Sequence, residues 1–149
     1  MAPKSKYDQY IITELKMPEE KKKIDADYRK YAFRILWMDE NVVPGAFHMN
    51  TAWYLKAATT LEDKPHFHEI DEIIGFFGSD SKNPYDLNGE IEMWLEDEKH
   101  ILTRTCMLFV PAGMKHCPLI LRRVDRPIFH FTTVPGGQYI KEENAAFNY

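Results

Sequence analysis

The sequence predicts an all-β domain, a sandwich or barrel of seven or so short strands, and three observations carry that expectation. Apolar or alternating runs recur from residue 31 onward, turn-forming residues separate them at close spacing, and no long amphipathic helical pattern interrupts them. The chain has 149 residues, 44% hydrophobic and 28% charged, which is one domain with an ordinary globular balance.

Residues 1–30 are the least regular and are expected to form an N-terminal arm ahead of a single domain at 31–149. Within the arm, Pro18-Glu19-Glu20 has the proline and acids of a helix start, although the same charged stretch also suits a solvated loop. Tyr31 to Met38 reads as the first strand, closed by Asp39-Glu40-Asn41 and Pro44-Gly45. Met49 to Ala58 is the second, and His66 to Phe77 the third, followed by a loop from Gly78 to Asn88. From Gly89 to Leu95 acidic and apolar residues alternate strictly, the period of a half-buried strand. Ile101 to Val110 is expected as its hairpin partner across the polar turn Glu96-Asp97-Glu98-Lys99. Leu119 to Val124 and Pro127 to Val134 complete the set.

Composition excludes several classes. A net charge of −4 gives no electrostatic support to nucleic-acid binding. No stretch approaches the ~20 apolar residues of a transmembrane helix, and the N-terminus lacks an apolar signal core. Neither a membrane nor a nucleic acid is expected as a partner. Cys106 and Cys117 are too few for a disulfide framework and read as two reduced, packing thiols of a cytoplasmic protein.

The chemistry lies in the histidines. His66, His68 and Glu72 share parity with Ile70, Ile74 and Phe76, so one face of a single strand would carry two imidazoles and a carboxylate among apolar residues. Buried without partners those groups are costly, whereas one divalent metal satisfies all three. Downstream, Pro111-Ala112-Gly113 is a turn that would send His116 back along the inner wall, giving four ligands. Three nitrogens and one oxygen suit Fe, Mn, Ni or Co, with Zn also possible. No dinuclear hydrolase pattern, His-Glu-x-x-His, phosphate loop or Gly-x-Ser-x-Gly elbow competes.

These two segments resemble the motifs of the cupin superfamily: His-x-His with a following Glu, then Pro-x-Gly with a following His. His66, His68 and Glu72 match the first, and Pro111, Gly113 and His116 the second. Thr60 and Thr105 stand where the family's leading glycines fall, Gly78 is one residue short, and Ile120 replaces a terminal asparagine. The resemblance implies a double-stranded β-helix, or jelly roll, around one metal, and a homodimer formed through N-terminal strands.

Around the metal, His130 and Tyr54 are the candidates for moving protons. Trp53 and Lys56, or alternatively Tyr54, are expected to line the mouth, with Met93 on the apolar face of its strand, the one expected to be buried. Arg34, Lys56, Arg122 or Arg123 would bind a substrate carboxylate. His48 and His100 fall beside turns and are expected to be solvated. The function expected is a mononuclear metal-dependent enzyme acting on a small oxygenated metabolite, by isomerase, lyase or decarboxylase chemistry or by oxygen activation. The alternative is a non-catalytic, metal-dependent binder or sensor of a small molecule.

Overall fold

The computed structural model describes residues 5–62 and 64–136. The ends of the expected arm and domain, residues 1–4 and 137–149, therefore lie outside it, as do the side chains of Thr60 to Glu62.

Two antiparallel sheets make the domain. One holds β1 (Ala32–Met38), β2 (His48–Tyr54), β4 (Glu72–Gly78), β7 (Cys106–Val110) and β9 (Ile128–Val134), in the order β1-β2-β9-β4-β7. The other holds β3 (Ala58–Glu62), β5 (Asp86–Leu95), β6 (Glu98–Arg104) and β8 (His116–Val124), in the order β3-β8-β5-β6. Ahead of them, α1 (Glu19–Tyr28) starts immediately after Pro18, as its acidic first turn predicts. No helix among the described residues is long and apolar enough to cross a membrane.

Alternation is the main force shaping these sheets. In β2 the even residues His48, Asn50, Ala52 and Tyr54 are buried, and in β9 so are Ile128, His130, Thr132 and Val134. Inward side chains from both sheets, among them Tyr54, Phe76, Leu87, Ile91, Met93, Leu121 and Ile128, form the core. Each is at most 1% exposed. Their burial is the dominant favourable contribution to folding, at roughly 1.5–3 kcal/mol per large apolar side chain.

β5 and β8 each start three residues earlier than expected, at Asp86 and His116, and three further boundaries differ. Met49 to Ala58 is not one strand: β2 ends at Tyr54, and β3 begins at Ala58 in the other sheet. Ile101 to Val110 divides at Thr105, so that β6 pairs with β5 while β7 crosses to β4. Thr105 holds this crossing, its hydroxyl donating to the Pro84 carbonyl at 2.6 Å and accepting the Gly78 N–H at 2.9 Å. Finally, β4 begins only at Glu72, because the chain bends at Glu69 and Ile70.

Candidate metal centre

The bend at Glu69 changes how the donors meet. His66 and His68 do not share a strand with Glu72, as parity alone suggested. His66 instead forms an isolated antiparallel bridge with His116, the two backbones exchanging hydrogen bonds of 3.0 and 2.9 Å. The His68 carbonyl accepts the Gly113 N–H at 2.8 Å, and the Asp71 carboxylate accepts the Ala112 N–H at 2.9 Å. Gly113 has φ +85°, a conformation that a side chain would strain, which is why glycine sits in this turn. Backbone pairing between two distant segments therefore assembles the site.

His66, His68, Glu72 and His116 are each no more than 3% exposed. One donor atom each from His68, Glu72 and His116 lies within 4.8 Å of the others. Glu72 Oε1 is 3.4 Å from His68 Nε2 and 3.2 Å from His116 Nε2, and Oε2 accepts the Thr132 hydroxyl at 2.6 Å. Burial pushes the Glu72 carboxyl up, but His116 and His68 against it outweigh burial and hold it well below the usual carboxylate range.

The tautomers follow from the partners. Nδ1 of His66 faces the Lys64 carbonyl at 3.0 Å and Nδ1 of His116 faces the Met114 carbonyl at 3.2 Å. A carbonyl only accepts, so both Nδ1 atoms carry a proton and Nε2 is the ring nitrogen left to face the other donors. This is how metal-binding histidines are oriented by their outer partners. Glu72 Oε1 and His116 Nε2 are buried with no hydrogen bond of good geometry. The carboxylate oxygen and the imidazole nitrogens converge at 3.2 to 3.4 Å without well-formed hydrogen bonds, and a cation would satisfy them together. The residues fit a divalent metal.

His66, Glu72 and His116 border a cavity of about 550 Å³, a size suited to a small metabolite. His130, Tyr54, Met93 and Arg34 line it, together with Thr132. His130 Nδ1–H donates to the Gly75 carbonyl at 3.1 Å, and its ring packs against those of Tyr54 and Phe76 at 4.8 and 5.1 Å. Arg34 Nη1 donates to Asn50 Oδ1 at 3.1 Å, and its guanidinium lies 4.4 Å from the Tyr28 ring centroid. Asp25, on α1 and 6% exposed, stands 3.5 Å from Arg34 Nε. Burial pushes the Tyr28 phenol well above the usual range, so it stays neutral.

Other expected site residues lie elsewhere. Trp53 is on the outer face, edge-on to Phe129 at 5.5 Å, because its parity is opposite to that of Tyr54. Lys56 is exposed on the turn after β2. Arg122 is on the outside of β8, paired with Glu90 at 3.2 Å and Glu92 at 2.9 Å, and Arg123 pairs with Asp125. His100 is half-exposed beside Glu98, as expected. His48 is not solvated: it is fully buried against Trp37, and its Nε2 accepts the Asn50 amide N–H at 2.9 Å. Burial lowers its pKa to about 4.

Sequence reasoning missed Asp25, Asn50 and Thr132, three small polar residues at the cavity. Asn50 and Thr132 share the inward parity of Tyr54 and His130, a signal available in the sequence. For Asp25 the sequence carries none.

No family model and no curated protein matches the chain. Solved structures do. A recombinant oxalate oxidase in complex with glycolate superposes with a TM-score of 0.52 at 13% identity, covering 92% of this chain and 63% of that one. The chain thus spans just under two thirds of that protein's length. An RmlC-like cupin from Shewanella frigidimarina matches with a TM-score of 0.40 at 20% identity, over 60% of this chain and 67% of that one. KdgF from Halomonas sp. matches at 0.43 and 16%, over 72% and 78%. At such identities the likeness concerns the fold alone.

Proposed function

We propose, for a chain whose fold is the cupin double-stranded β-helix, the function of a mononuclear metal-dependent enzyme acting on a small carboxylate-bearing metabolite. One observation carries this reading: an ionised, buried carboxylate and buried imidazole nitrogens meet at a cavity of about 550 Å³. In this reading His66, His68, Glu72 and His116 hold one divalent ion. The bound ion would supply Lewis-acid polarisation of a substrate oxygen, or oxygen activation if it is redox-active.

The remaining chemistry belongs to the chain. Arg34 presents a planar fork on the cavity wall, suited to orienting a carboxylate. Asp25 and Asn50 hold that guanidinium in place. His130, with its proton held on Nδ1 by the Gly75 carbonyl, has Nε2 as the atom that takes or returns a substrate proton, and Tyr54 stacks on the same ring. Ile74, Met93 and Leu119 give that end of the cavity an apolar lining that limits water.

The reading treats residues 31–149 as one catalytic domain and residues 1–30 as its arm, with α1 of the arm closing one side of the cavity. It also takes the protein as a cytoplasmic homodimer. Two reduced thiols support the compartment. The exposed Phe33, Met107 and Phe109 on the outer face support self-association.

The test is elemental analysis of anaerobically purified protein beside a His66→Ala/His68→Ala double variant. It is followed by incubation of the loaded protein with small 2-oxo and 2-hydroxy acids, with and without oxygen, read by NMR. Near-stoichiometric metal, lost in the variant, and a chemically altered acid are expected. No metal and no uptake would sink the reading, and acids bound but returned unchanged would make the protein a binder.

A further inference from the structure

Cys117 directly follows His116, and on a regular strand it would point to the opposite side. Its φ of +76°, unusual for a residue with a side chain, breaks that alternation. Both residues are buried, at 1% and 4% exposed, and both line the cavity. The Cys117 thiol sulfur and one ring nitrogen each of His66 and His116 lie within 4.8 Å of one another. A second observation points the same way: His116 Nδ1 is committed to the Met114 carbonyl, which leaves Nε2, buried and without a hydrogen bond of good geometry, as the atom available to an ion.

His116 is therefore common to two donor sets, one of nitrogen and oxygen with His68 and Glu72, the other of nitrogen and sulfur with His66 and Cys117. We infer that Cys117 is a sulfur ligand to the metal, an inference that rests on the metal reading above. On coordination the thiol gives up its proton to solvent and the thiolate bonds the ion. A thiolate would also bias the site toward Zn(II), Co(II) or Fe(II) over Mn(II).

Co(II) and Zn(II) titrations of the full chain test this. Bound Co(II) is expected to show ligand-field bands and, in addition, a sulfur-to-cobalt charge-transfer band in the near ultraviolet. That band should vanish in Cys117→Ser and survive in Cys106→Ser, whose thiol lies on β7 outside both donor sets. X-ray absorption of the Zn(II)-loaded native chain needs no variant and should find one sulfur scatterer at about 2.3 Å. Cys117→Ser should weaken Zn(II) by more than ~10-fold and Mn(II) by less. One bound ion with no charge-transfer band and no sulfur scatterer would overturn sulfur ligation and leave the metal reading standing. No uptake of either metal would overturn both.

Discussion

Along β9 the chain runs Phe129-His130-Phe131-Thr132, and alternate residues belong to two different environments. His130 and Thr132 point inward, to the Gly75 carbonyl and to Glu72. Phe129 and Phe131 point outward, into a band of rings with Trp53 and Phe77 at centroid separations of 5.5 to 6.4 Å. The inner face depends on direction, since the His130 ring is fixed by one carbonyl and the Glu72 carboxylate by one hydroxyl. The outer face depends on area, and its rings meet at varied angles. Single-atom changes should therefore matter inside, and outside only bulk should matter.

The largest expected effect breaks the inner face. Glu72→Gln removes the charge that His68 and His116 hold, and metal affinity should fall by at least ~100-fold, read by equilibrium dialysis with elemental analysis. The outer rings should keep their fluorescence. The next effect comes from His48, buried and neutral with a pKa near 4. Below the ordinary value of 6.5 the unfolded chain takes up a proton that the folded chain refuses. Stability is thus complete above that value and should decline by about 3 kcal/mol as pH falls toward 4. Urea unfolding at several pH values checks this, and His48→Gln should flatten the slope.

Gly75 sharpens the comparison because it serves both faces. Its carbonyl holds His130, and a Cβ there would sit 2.2 Å from the Phe131 ring. Gly75→Ala should cost about 1–3 kcal/mol through the displaced ring, with metal affinity unchanged. The smallest effect on stability is expected outside. Met107 and Phe109, at 66% and 61% exposed, can become serine within about 0.5 kcal/mol. If that face joins two copies, light scattering should then report a monomer.

The clustering of buried donors at the candidate site was legible in the sequence, though partly for the wrong reason. His66, His68 and Glu72 were grouped by strand parity, yet the chain bends at Glu69 and Ile70, and the backbone bridge to His116 brings His66 in. Such pairing between distant segments leaves no local periodicity. The alternation from Gly89 to Leu95 was legible because one side of that strand meets the core and the other meets water. The division at Thr105 was not, because a hairpin partner and a strand that crosses to another sheet share one composition. Arg122 and Arg34 were equal candidates for the same reason: a cation's side of the sheet depends on register, and only Arg34 meets the cavity.

The strand order β1-β2-β9-β4-β7 has a consequence for assembly in time. β9, the last strand among the described residues, is the central one, and β2 and β4 meet only through it. Thr51 pairs with Phe131, and Ile73 with Thr133, across long separations in sequence. Closure is therefore dominated by non-local contacts, a topology that folds slowly. A ribosome-bound chain lacking β9 would have His66, His68, His116 and Glu72 but no Thr132 to hold the carboxylate. Ion capture should accordingly come late, after the final strand has emerged.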